Sequence, residues 1–126
     1  MRGLLDTSVF VGREQSRPLG AMPEQAAISV MTLAELHLGV LLAKDQKTRA
    51  QRLRTLGAVE SAFDAFPIDA DVARAFAEIV AAARKKGRRA KVVDALIAAT
   101  AVTHDLPVYS QDADFGTIPG LRVILV

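Results

Sequence analysis

Five short apolar stretches, alternating with segments of helical periodicity, limit what this chain can become. They are Leu4-Leu5 with the residues just before, Ala26-Ala27-Ile28-Ser29-Val30, Phe66-Pro67-Ile68, Val108-Tyr109-Ser110 and residues 121–125. Between them, apolar residues recur three and four apart, as in Leu53, Leu56, Val59 and Phe63, or Val72, Phe76, Ile79 and Val80. Strands separated by crossovers of that length pair in parallel, with right-handed connections and helices over both faces. The expected fold class is therefore α/β, a central parallel sheet of about five short strands flanked by helices. No repeat, linker or low-complexity tract divides residues 1–126, so one domain is expected across the chain. Half the residues are hydrophobic (51%) and few are aromatic (5%), which with abundant alanine favours closely packed helices over a β-sandwich.

Several chemistries drop out early. Cysteine is absent, which removes disulfides, thiolate metal sites and cysteine nucleophiles. The opening Met1-Arg2-Gly3-Leu4-Leu5-Asp6 lacks the apolar core and cleavage site of a signal peptide. No apolar run approaches the ~20 residues that span a bilayer. A cytoplasmic location without membrane contact is the expectation.

The net charge of +2 is modest, but it is unevenly spread. Lys44, Lys47, Arg49, Arg52 and Arg54 make one basic run; Arg84, Lys85, Lys86, Arg88, Arg89 and Lys91 make another. Either can be a solvated face or a flank that holds phosphates. The second run lies just upstream of Asp94, which favours the nucleic-acid reading for it.

Asp94 opens the apolar helix expected over residues 92–102, where an unpaired charge would cost several kcal/mol. A cation, a metal ion or the helix dipole must compensate it. Asp6 follows the first strand, and Asp112 and Asp114 follow the strand at Val108-Tyr109-Ser110. Glu35 projects past the second strand, although Thr32-Leu33-Ala34-Glu35 also has the spacing of a capping box. Asp6 has an N-cap reading as well, and Asp69 and Asp71 are read only as caps. His37 and His104 are assigned solvent or dipole roles. Ligand sites of open parallel sheets lie beyond the carboxyl ends of the strands, so these acids can share one crevice. Crowded carboxylates repel and their pKa values climb unless a cation intervenes. Mg²⁺ or Mn²⁺ is the expected counter-charge, because hard ions prefer oxygen ligands. Two such ions ~4 Å apart can clamp a phosphodiester and activate water.

The order Leu-Leu-Asp-Thr-Ser (4–8), Ser-Val-Met-Thr-Leu-Ala-Glu-Leu (29–36), Val-Val-Asp-Ala-Leu-Ile-Ala-Ala-Thr-Ala (92–101) and Val-Tyr-Ser-Gln-Asp-Ala-Asp-Phe (108–115) resembles the PIN-domain ribonucleases, and among them the VapC-type toxins of type II toxin–antitoxin pairs. The resemblance implies a Mg²⁺- or Mn²⁺-dependent endoribonuclease. It places Asp6, Glu35 and Asp94 at the core of the acidic site, with Asp112 as the fourth member and Asp114 beside it as a further metal contact. Ser8 matches the hydroxyl residue that supports the first Asp, and Ser110 stands where the family more often has Thr. A homodimer is implied, with a VapB-like antitoxin whose C-terminal tail enters the groove. The RNA backbone is expected along Arg84, Lys85, Lys86, Arg88, Arg89 and Lys91. Two other readings stand beside this one. An aspartate-nucleophile phosphohydrolase wants a second Asp at the place of Ser8. A non-catalytic PIN-like module would use its acids only to receive a basic partner.

Overall fold

In the computed structural model, which describes residues 1–126, the first apolar run forms strand β1 (Arg2–Leu5). Alternation along the strand sends Leu4 and Leu5 into cores on opposite faces of the sheet. The chain continues through α1 (Thr7–Glu14), β2 (Gln25–Ser29), α2 (Val30–Leu41), α3 (Gln46–Ala62), β3 (Ala65–Phe66), α4 (Ala70–Lys85), α5 (Val92–Thr103) and β4 (Val108–Ser110). A 3₁₀ turn (Ala113–Thr117) and β5 (Val123–Leu125) complete it.

All strand pairs are parallel, and the order across the sheet is β3-β2-β1-β4-β5. The expected α/β fold with five short parallel strands is the one observed. One core holds Leu4 and Val108 against α4, α5 and the 3₁₀ turn, through Val72, Ile97 and Phe115. The other holds Leu5, Ile28 and Tyr109 against α1, α2 and α3, through Val9, Leu36 and Leu56. Ala95, Ala98, Ala99 and Ala101 of α5 are fully buried; their small side chains let this helix lie close to its neighbours.

Some boundaries move from those expected, each for a local reason. The third strand is Ala65–Phe66 and stops before Pro67, which has no N–H for a ladder. Helix α3 ends at Ala62, because Phe63 turns to an extended conformation and sets its ring 5.7 Å from that of Phe10. Asp69 caps α4 by accepting from the Val72 amide, whereas Asp71 lies in the first turn and pairs with Arg74. Gly87, at φ +70°, ends α4 with its amide on the Arg84 carbonyl and that of Arg88 on Ala83, a Schellman arrangement.

The capping box does not form. Ser29 caps α2 by accepting from the Met31 amide, so the helix starts earlier than Thr32, which is fully buried inside it. Glu35 consequently sits in the second turn and is free of any capping role. His104 caps the C-terminus of α5 with its ring stacked 3.7 Å from Phe66, and His37 lies 3.6 Å from Glu60. No helix is long and apolar enough to cross a membrane.

Candidate active site

The sheet reverses its strand order between β1 and β4, since β1 leads to β2 on one side while β4 arrives on the other. Crevices beyond the strand ends at such a switch point are where open α/β sheets bind ligands. Register then fixes the first two partners. Leu5 pairs with Tyr109, and the Asp6 amide donates to the Tyr109 carbonyl at 2.9 Å, which brings Asp6 opposite Ser110.

Asp6 is almost fully buried, yet its charge is held by a shell of donors. Its Oδ2 accepts from Ser8 Oγ at 2.7 Å, from Ser110 Oγ at 2.9 Å and from the Ser8 amide at 3.3 Å. Ser8 Oγ accepts from the Gln111 amide and Ser110 Oγ from the Asp112 amide, each at 2.9 Å, leaving each hydroxyl to donate to the carboxylate. With Oδ2 saturated, Oδ1 is the oxygen left for a ligand. Asp6 also N-caps α1, so the cap and the site readings of this residue hold together.

Glu35 reaches the same place from α2. Thr7 Oγ1 donates to Glu35 Oε1 at 2.6 Å and lies 3.1 Å from Thr32 Oγ1. Burial pushes the Glu35 carboxyl above its usual range; the Thr7 hydroxyl pulls it down and the neighbouring Asp6 charge pushes it up again. Asp94 lies in the first turn of α5, whose N-cap residue, Lys91, supplies no side-chain bond to the helix amides. Burial, reinforced by the charges of Asp6 and Asp112, pushes Asp94 up to about 6, against a smaller opposing pull from Lys91. Asp112 follows β4 and caps the 3₁₀ turn, its Oδ1 accepting from the Asp114 amide at 2.9 Å.

Asp6, Glu35, Asp94 and Asp112 all line one cleft of about 740 Å³. As placed, no three acidic or histidine side chains stand close enough to ligate an ion together. The donor set nonetheless suits a hard divalent cation. It is all oxygen, it faces one space, and two of its members have carboxyls raised by burial and by the charge of neighbouring carboxylates, Asp6 above all. A cation entering there would relieve that repulsion.

Asp114 departs from expectation. Asp114, exposed in the 3₁₀ turn, lines not this cleft but an adjoining pocket that shares Lys91 and Asp94 with it. The basic run also divides. Lys91 lines the acidic cleft, Arg88 and Arg89 line the adjoining pocket, and Arg84 borders a shallower hollow beside it. Lys85 and Lys86 are exposed and border none of these.

Sequence reasoning overlooked Thr7, Arg17 and Gln111. Thr7 stands beside Asp6, and a hydroxyl between two site residues was the available signal. Arg17 lines the cleft from the loop after α1, with its guanidinium on Gln15 and Gln111. Nothing in a Pro- and Gly-bearing loop marks it beforehand.

A sequence model of the PIN domain matches residues 3–121. The chain is 43% identical over 120 residues to Ribonuclease VapC5 of Mycobacterium tuberculosis, covering 94% of this chain and 88% of that one. It is 48% identical over 101 residues to Ribonuclease VapC8 of the same species, covering 79% and 89% respectively. Its fold matches the crystal structure of VapBC-5, a member of the VapBC family of toxin–antitoxin systems from M. tuberculosis, with a TM-score of 0.85 and 39% identity over 99% of this chain and 97% of that one. With its parallel sheet, its acidic cleft at the switch point and these likenesses, the chain belongs to the PIN-domain family, in its VapC branch.

Proposed function

We infer that this chain is a metal-dependent endoribonuclease toxin that hydrolyses RNA phosphodiesters in the cytoplasm and is neutralised by a VapB-like antitoxin. The observation that carries the reading is the convergence of Asp6, Glu35, Asp94 and Asp112 from four separate segments onto one cleft. The likeness to proteins named as VapC ribonucleases supports it.

Asp6 and Asp94 would hold the principal Mg²⁺ or Mn²⁺, with Glu35 and Asp112 completing the site or holding a second ion. Such a cation supplies Lewis acidity to the phosphoryl group and lowers the pKa of water. Everything else falls to the chain itself. Ser8 and Ser110 fix the Asp6 carboxylate, Thr7 fixes Glu35, and Lys91 and Arg17 draw the phosphodiester to the cleft. Burial of the acids keeps the dielectric low, which strengthens their grip on a cation.

A homodimer and an antitoxin complex belong to this reading. Apolar surface for partners is present: Leu38, Leu41, Leu42 and Leu53 are exposed around the α2–α3 hairpin. Light scattering of the chain alone and with its antitoxin measures both assemblies.

The direct test is cleavage of end-labelled RNA by purified protein, with Mg²⁺ or Mn²⁺ added and then removed by chelation. Cleavage is expected to need the ion. Asp6→Asn and Asp94→Asn are expected to bind RNA and to lose cleavage. Undiminished, metal-independent cleavage by either variant overturns the reading.

A further inference from the structure

The pocket adjoining the acidic cleft takes in only Asp94 of the four converging acids. It measures about 130 Å³, and its walls are Ile79, Ala83, Ile118 and Pro119. Arg88, Arg89, Lys91, Asp114 and Thr117 supply its polar rim, and Asp94 and Lys91 border both this pocket and the acidic cleft. The rim is built before any ligand arrives. Thr117 Oγ1 donates to the Asp114 carbonyl at 2.7 Å, and Arg88 donates to the Thr117 carbonyl at 3.1 Å. Arg89 and Asp114 both line this pocket, they form no salt bridge with each other, and neither side chain is committed to a hydrogen bond elsewhere in the chain. An uncommitted donor fork and an uncommitted acceptor pair therefore both stand at the rim of an apolar slot.

We propose that this slot is a nucleobase subsite that takes guanine from the nucleotide next to the scissile phosphate. The inference deepens the ribonuclease reading and rests on it. Single-stranded RNA is read by stacking splayed bases on flat surfaces and bonding their edges. The slot is too small for a whole nucleotide, but a planar ring fits between apolar walls. Guanine presents two acceptors, O6 and N7, which match an arginine fork. On its adjacent edge it presents two donors, N1–H and N2–H, which match a carboxylate. No other RNA base pairs a two-acceptor edge with a neighbouring two-donor edge. Asp94, shared between pocket and cleft, puts the bound base within one nucleotide of the phosphate held by the acids.

The test separates binding from cleavage. Full-length protein silenced by Asp6→Asn is titrated with fluorescent pentanucleotides UUGUU, UUAUU and UUCUU. Guanine is expected to bind about tenfold more tightly than adenine or cytosine, and Asp114→Asn or Arg89→Gln is expected to shrink that to within about twofold. Both residues are exposed, and circular dichroism checks that the variants remain folded. In parallel, RNA ends made by the active enzyme are sequenced, with guanine expected at one fixed position beside the cut and randomised by Asp114→Asn. Equal affinities for the three oligonucleotides, or a guanine preference that survives both substitutions, overturn the subsite. Metal-dependent cleavage with no base preference overturns the subsite alone. A guanine preference in a protein that cleaves no RNA supports the subsite and overturns the ribonuclease reading.

Discussion

Thr7 Oγ1 donates to Glu35 Oε1 across 2.6 Å while standing 3.1 Å from Thr32 Oγ1. Thr7 is the donor in both contacts, and the shorter one, to the Glu35 carboxylate, is the stronger claim on its single proton. One threonine hydroxyl thus links a site carboxylate to the fully buried Thr32. Thr7→Val is expected to lower cleavage or metal affinity by about 10–100-fold, the usual cost of losing an outer support of a ligand. Thr7→Ser restores most of it. Titrating Mn²⁺ against both variants, with unchanged circular dichroism, reads this effect, and equal affinities in Thr7→Val and the parent would refute it.

Asp94 provides a pH signature. Its carboxyl rises from 3.8 to about 6 in the folded chain, so between those values the folded state binds a proton that the unfolded state does not. This group's contribution to the stability of the metal-free chain is therefore present at low pH and is lost as pH rises through about 6. Glu35, also raised, acts with the same sign. In chelator, Asp94→Asn is expected to melt higher than the parent at pH 8, with the gap closing toward pH 4. Mg²⁺ favours the carboxylate and should stabilise the parent at pH 8. Protons and the ion compete for this carboxylate, so the Mg²⁺ concentration needed for cleavage should rise as pH drops below about 6. Melting curves over pH, with and without ion, check all three.

The two serines share one oxygen of Asp6, and they stand 3.1 Å apart. Removing either leaves a buried carboxylate short of a donor, at a cost of about 1–3 kcal/mol. Ser8→Ala and Ser110→Ala are expected to be non-additive in a double-mutant cycle of cleavage rates, because they act through the same atom. Simple additivity would show that they act separately.

The basic run should divide functionally as it divides in space. Lys91→Ala, at the cleft, is expected to weaken RNA binding and reduce the salt dependence of log K by about one ion contact. Lys85→Ala and Lys86→Ala should leave that slope nearly unchanged. Binding isotherms from low to moderate salt distinguish them.

Gly3 is required by a close approach. A Cβ there would run into the ring of Tyr109, which packs over β1 from β4. Gly3→Ala is expected to destabilise the fold by about 1–3 kcal/mol, as overpacking in a tight core does. Urea denaturation measures it, and an unchanged midpoint would place the ring elsewhere.

Read from the sequence alone, the architecture was largely within reach. Apolar runs of strand length alternating with helical periodicity leave few alternatives to a covered parallel sheet. The caps at Asp6 and Asp69 and the stop at Gly87 follow from backbone chemistry within a few residues. Local pattern failed where a longer-range contact outweighed it. Thr32 and Glu35 have capping-box spacing, but Ser29 begins the helix earlier, and burial of Thr32 against Thr7 turns both residues to another use.

By itself, the sequence determined which residues could be acids at strand ends and which stretches would be buried, because burial and periodicity are properties of neighbouring side chains. Only the tertiary structure decided which of those acids meet. Register between β1 and β4 placed Ser110 beside Asp6, and the short turn after Asp112 sent Asp114 into a different pocket. Those choices depend on pairing between segments about a hundred residues apart and on the direction of one turn, neither of which is encoded in any local stretch.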